Sequence, residues 1–216
     1  SITFQNNENF KNIFDLYLQN STIAPTMTGS KTVDDSMAEF ALGEAAMVQN
    51  GNWAFGQISG VDGNTVTAED VTFLPIYTGM SGEESQGLCI GTENFFCINR
   101  NASETDQQAS LDFLNWLYTS DEGKAHVTND LGFIAPFDSF TDDDKPADPL
   151  GQQVMEWNSN SEIQNVPWNF TVFPSQQFKD NFGGNLLVYA QGQREWSAVA
   201  QAVIDDWANE KAAAAA

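Results

Sequence analysis

The chain has 216 residues, enough to bury a real core in one large domain or two small ones, and it carries 30 acidic against 8 basic residues for a formal net charge of -22. So little positive charge leaves nothing to neutralise phosphates or settle on anionic lipid, which argues against nucleic acid and membrane surfaces as direct partners. No stretch approaches the roughly 20 apolar residues that span a bilayer, and the first twenty lack the basic-then-apolar layout of a signal peptide.

In chain order, Phe10, Ile13, Phe14, Tyr17 and Leu18 repeat at helical spacing and predict an amphipathic first helix. Either the chain is cytosolic or its export signal lies outside it, and because this helix follows Ser1 almost at once the chain reads as a piece of something longer. A polar, Thr-rich link from Ser21 to Thr32 leads to a second helix, capped by Asp34 or Asp35, carrying Met37, Phe40 and Ala41, and ended by Gly43. Ala45 to Val48 reads as a short buried strand. Asn50-Gly51 is a turn signal, and Trp53 to Ile58 reads as a short helix.

Val71 to Tyr77 is a second strand candidate, followed by a Gly/Ser/Glu loop and a strand region reaching Asn99 that holds both cysteines, Cys89 and Cys97. If Gly91 to Asn94 forms a hairpin turn with an odd-length loop, the two thiols face each other and a disulfide can close. If the run is one continuous strand, they are too far apart and are two small core residues. Ser103 with Asp106 resembles a capping box opening a long helix whose buried face is Leu111, Leu114, Trp116 and Leu117. A further helix starts at Ser120. Residues 132 to 149, with Pro136, Pro146, Pro149 and the run Asp142-Asp143-Asp144, form a connection. Leu150 to Trp157, Phe178 to Tyr189 and Trp196 to Trp207 then predict three more helices, the second weakened by Gly183-Gly184, before an alanine tail at 212 to 216. The pattern is helix-rich α/β, with unusually few strands for its length.

No catalytic constellation emerges. The single histidine, His126, has no ligand-spaced partners, and P-loop, GxGxxG, GxSxG, CxxC and HExxH patterns are absent. The acidic run near Asp142 lacks the alternating ligands and central glycine of a calcium loop. The sequence therefore calls for no metal and no cofactor. What does concentrate is aromatic rings beside amides, in Gln49-Asn50-Gly51-Asn52-Trp53 and in Asn165-Val166-Pro167-Trp168-Asn169-Phe170-Thr171-Val172-Phe173. Amides satisfy sugar hydroxyls as donors and acceptors, and rings pack on the C-H faces of a pyranose. Trp53 also follows the predicted strand at a glycine turn, where open α/β sheets place ligand crevices.

Four stretches, in order, carry a family resemblance: Phe40-Ala41-Leu42-Gly43-Glu44-Ala45-Ala46-Met47-Val48-Gln49-Asn50-Gly51-Asn52-Trp53; Phe73-Leu74-Pro75-Ile76; Ala109 to Gly123; and Tyr189-Ala190-Gln191-Gly192. The chain resembles the extracellular solute-binding proteins of bacterial sugar ABC importers, the group that includes maltose-binding protein, and specifically their carboxy-terminal half. The resemblance implies part of a two-lobed type II periplasmic-binding-protein fold. Residues 1 to 74 would belong to the second lobe, 75 to 130 to hinge strands and first-lobe helices, and 131 to 211 to the connection and the returning second-lobe helices.

It further implies a non-enzymatic, extracytoplasmic receptor, periplasmic or a surface lipoprotein, whose partners are a sugar and a membrane permease. The family's Gly-x-Trp falls on Gly51-Asn52-Trp53, nominating Trp53 with its neighbour Asn52 as ligand-binding. Trp168, Asn169 and Phe173 follow from the loop before the penultimate helix, and Glu93 from its place beside the hinge. Uncovered apolar faces in such a half would favour self-association. Competing functions are a glycan hydrolase with an unseen carboxylate pair and a lectin-like module.

Overall fold

The computed structural model describes residues 2–92, 95–141 and 143–214. It is helix-rich α/β with a small parallel sheet. The helices are α1 (Asn7–Gln19), α2 (Val33–Ala41), α3 (Ala54–Ser59), α4 (Glu104–Thr119), α5 (Asp121–Ala125), α6 (Pro149–Ser159), α7 (Gln176–Ala190) and α8 (Trp196–Ala214). Strands β1 (Gln86–Ile90) and β2 (Gln164–Pro167) pair in parallel, with Gln86 opposite Gln164 and Ile90 opposite Pro167. The chain forms two compact units, one of Ser1–Ser36, Ile76–Glu84 and Asn169–Ala216, the other of Met37–Pro75 and Ser85–Trp168.

In the first unit α1 packs through rings. Phe10 lies 5.3 Å from Phe182 and 6.2 Å from Trp196, and Phe14 lies 6.2 Å from Tyr189. Polar tips of the same rings fix the registry: the Trp196 indole N-H donates to Asn7 Oδ1 at 2.9 Å, and the Tyr189 hydroxyl donates to Asp15 Oδ1 at 2.8 Å. Asp15 also takes Lys11 Nζ at 2.6 Å, and that bond holds the Lys11 ammonium above its ordinary pKa. Between α7 and α8, Phe178 meets Trp207 edge to face at 5.2 Å.

In the second unit the core is Met37, Ala41, Ala54, Ile58, Val71 and Leu150, with Phe40, Phe55 and Phe73 packed against it. The expected strands at 45–48 and 71–77 are not formed. The side chain of Gln153 in α6 takes the place of a strand partner at the latter: its Oε1 accepts from Phe73 N at 3.0 Å and its Nε2 donates to Val71 O at 2.8 Å. Extended backbone is thus satisfied without a ladder. Cys89 sits in β1 and Cys97 in coil beyond it, and both are free and exposed.

Helix ends follow the sequence closely. Ser103 Oγ accepts from Asp106 N and donates to its carboxylate, and Ser120 Oγ accepts from Gly123 N to start α5. The cap of α2 is Thr32, one turn earlier than expected, and Asp35 reciprocates by accepting from Thr32 N at 2.7 Å. Gly43 ends α2 at φ 75°, while Glu44 N reaches back to Glu39 O at 2.8 Å and Gly43 N to Phe40 O, the 6→1 and 5→2 bonds of a Schellman close. The expected buried face of α4 holds only in part: Leu117 is buried and Leu114 half-buried, but Leu111 is 51% and Trp116 36% exposed, as is the neighbouring Phe113 at 54%. Trp116 keeps one ring neighbour on that side from outside the helix, His126 at 6.2 Å, and Phe113 lies 5.8 Å from Trp116 itself.

The 132–149 connection is ordered by Lys124, whose Nζ donates to Asp144 Oδ2 at 2.8 Å and Ser139 O at 3.2 Å, while the Phe137 ring packs at a tilt 4.5 Å from Tyr118. Asp142 of the acidic run lies outside the described residues.

Two outcomes follow. Ile58, 2% exposed in the middle of the core, should cost about 2–5 kcal/mol when cut to alanine, read from urea unfolding. Bonds from Thr32, Thr67 and both Lys124 and Thr141 hold Asp35, Asp70 and Asp144 below the usual carboxylate range. A depressed folded pKa gives stability that is complete above the unfolded value, about 3.9 for Asp, and is lost as pH falls through the folded one. The calorimetric melting temperature should therefore drop below about pH 4, and drop less in the triple Asn variant of these three positions. Equal drops in the two proteins would contradict the assignment.

Candidate functional site

The segment around Trp53 is built by α3 and the turn before it. Asn50 Oδ1 accepts from Gly51 N at 2.8 Å, its amide nitrogen reaches the buried Met37 sulfur at 3.4 Å, and Ala54 N donates to Gly51 O at 3.0 Å. These bonds fix the turn to the core and leave Trp53 at the cap of α3, with helical backbone at φ −68° and ψ −11°. The expected strand before it is replaced by unpaired coil, so Trp53 sits at a helix start rather than at a strand end. Its indole folds back over Gly51, where any added Cβ would collide with Cη2 and Cζ3 of the ring. Glycine is required here for close approach rather than for an unusual backbone angle.

The ring is 55% exposed, and among the described residues neither its N-H nor the half-buried Asn52 amide meets a protein partner. An exposed aromatic face thus stands beside an uncommitted amide, on a short helix whose other side is anchored by Ala54 (3% exposed) and Ile58.

Trp168 follows β2 in the same unit. It is 42% exposed, and its Cβ, Cδ1 and N pack 3.1–3.3 Å from where a side chain at Gly91 would begin. Asn165, one of the amides that marked this stretch in sequence, is used by the fold: it accepts from Leu88 N at 3.1 Å and donates to Trp157 O at 3.3 Å. Asn169 and Phe173 fall in the other unit. Asn169 starts a 3-10 turn at Phe170–Val172, and Phe173 lies 5.8 Å from Phe178 and 6.0 Å from Trp207, with Lys179 Nζ 5.5 Å above its ring. Those contacts engage Phe173 in its own unit's packing. Glu93 lies outside the described residues. Only Asn52 and Trp53 are therefore joined in one local arrangement.

His126 opens a π-helical turn, His126–Asp130, and its Nδ1 pairs with the Asp130 carboxylate one turn on, both side chains exposed. Among the described residues no group of three or more His, Cys, Asp or Glu side chains could hold a metal ion, and no helix is long and apolar enough to cross a membrane.

Replacing Gly51 with alanine should lift the indole off the turn. The Trp53 Nε1-H resonance should move while the urea midpoint changes little; an unmoved resonance would contradict the packing.

The family model for the bacterial extracellular solute-binding protein matches residues 8–152, more than half of the chain. That span takes in Asn52 and Trp53 and ends before Trp168, Asn169 and Phe173. No curated protein and no solved structure matches. The chain belongs to the bacterial extracellular solute-binding proteins, non-enzymatic components of ABC importers.

Proposed function

We propose that the solute is a sugar, mono- or oligosaccharide, and that Trp53 and Asn52 form part of the surface that holds it. The observation that carries this reading is the exposed indole fixed over Gly51, its N-H and the amide beside it unbonded among the described residues. A pyranose offers both an apolar C-H face for a ring and hydroxyls that an amide can meet as donor and acceptor. The carboxylates of this very acidic chain favour a neutral ligand over an anion.

The resemblance to the maltose-binding group gives the rest of the reading: this chain contributes one wall of a two-lobed cleft and hands its sugar to a membrane permease. On that reading Trp168, Asn169, Phe173 and Glu93 are secondary candidates, with Trp168 42% and Phe173 39% exposed. An extracytoplasmic location on a surface lipoprotein or in the periplasm belongs to the same reading, as does self-association through the uncovered face of α4.

Calorimetry against a panel of mono- and oligosaccharides tests it, with Trp53→Ala as the comparison. Losing a stacked ring should weaken binding by about 1–3 kcal/mol. Unchanged affinity in the variant would remove Trp53 from the site, and tight binding of a peptide or anionic solute with no response to any sugar would overturn the ligand class.

A further inference from the structure

The Thr-rich segment after α1 read in sequence only as a link. In the structure it is a hydrogen-bonded turn that lines an open surface depression of about 260 Å³ with the end of α7. Its backbone is closed by successive bonds, Met27 N to Ala24 O at 2.8 Å, Thr28 N to Pro25 O at 3.1 Å and Ser30 N to Met27 O at 3.0 Å, with Pro25 opening the 3-10 turn. Gly29 lets the turn close down on α7: it has φ 92°, and a Cβ there would stand 2.9 Å from Leu187 Cδ1.

The chemistry of the lining is uniform. Thr26, Thr28 and Ser30 supply three hydroxyls at alternate positions, and Gln191 supplies a side-chain amide from the end of α7, where its backbone N-H is already bonded to Leu187 O at 3.0 Å. Thr26 and Ser30 are exposed, Thr28 and Gln191 half-buried, and none of the four side chains is committed to a protein hydrogen bond among the described residues. Leu187 and Met27, the latter 54% exposed, give the apolar contacts. No charged side chain lines the depression. Its volume falls just below the range of drug-sized pockets, which suits one small molecule rather than a chain.

We propose that this depression is a binding subsite for one small neutral polyhydroxy compound, a monosaccharide or a polyol. Hydroxyls that act as both donor and acceptor, with an amide that does the same, match a ligand made of hydroxyls. A phosphate or carboxylate would find no cation in the lining and would enter against the protein's net negative charge. The subsite belongs to the unit that lacks Trp53 and does not rest on the reading of that residue.

The test is a nuclear magnetic resonance titration of the isotope-labelled 216-residue protein with D-glucose, with glycerol and inorganic phosphate as parallel probes. Glucose should give saturable shifts at the amides of residues 26–30 and at the Gln191 side-chain NH2. Gln191→Ala and Thr28→Val should each weaken that binding about tenfold, the loss of one ordinary hydrogen bond, with melting temperatures unchanged. Absent or linear shifts at 26–30, unaltered binding in both lining variants, or preferential binding of phosphate would each overturn the proposal. Loss of response at Trp53 alone would bear on the proposed sugar site and leave this one standing.

Discussion

The second unit depends on one side-chain amide. Gln153 donates to Val71 O and accepts from Phe73 N, doing across some eighty residues of sequence what a neighbouring strand would do. Without it, buried extended backbone would keep an unpaired donor and acceptor, a cost of about 1–3 kcal/mol for each group. By tying α6 to the 71–73 segment it also brings Leu150 and Val71 into one core with Ala54 and Ile58. Those last two anchor α3, and α3 begins at Trp53. The core on which α3 rests is therefore held in part by a polar contact far from it in sequence. Asn165 repeats the device at the sheet, linking β1, β2 and α6 through Leu88 N and Trp157 O.

The acidic composition has a partly structural use. Asp35, Asp70, Asp106 and Asp144 each sit three residues after a Ser or Thr and bond back to it, closing turns and helix starts. Since three of these carboxylates are also held below the usual range, the same residues that give the protein its negative charge hold its local structure at neutral pH. Lys124 illustrates the converse. One of few cations, it organises the acidic connection by meeting Asp144 and Ser139 at once.

Helices were legible because their signals are local. The spacing of Phe10, Phe14 and Tyr17, the Ser103/Asp106 pair and Gly43 each act within a turn or two, and the structure follows them. Strands were not, because pairing is decided at long range: Val71 to Tyr77 has strand-like residues but receives an amide instead of a partner, and β2 hides in a stretch that reads as a loop rich in rings. The face of α4 misled for the opposite reason. Its apolar spacing is real, yet spacing cannot say whether anything lies over Phe113 and Trp116. At the site, the Gly51-Asn52-Trp53 pattern was visible, whereas the collapse of the ring onto Gly51 is a tertiary fact. Asn165 carries the right chemistry in sequence, but the fold uses it to join β1, β2 and α6. The hydroxyls of Thr26, Thr28 and Ser30 gave no signal until Gly29 brought them against Leu187.

The central claim is that a family of solute receptors is represented here by a chain whose indole at position 53 meets a sugar. The most direct measurement is the Trp53 Nε1-H resonance during titration with a neutral disaccharide such as maltose. The account predicts a saturable shift of that resonance, with the Asn52 side-chain amide moving at the same ligand concentration. A Trp53 resonance that stays fixed while the protein demonstrably binds the sugar would contradict it.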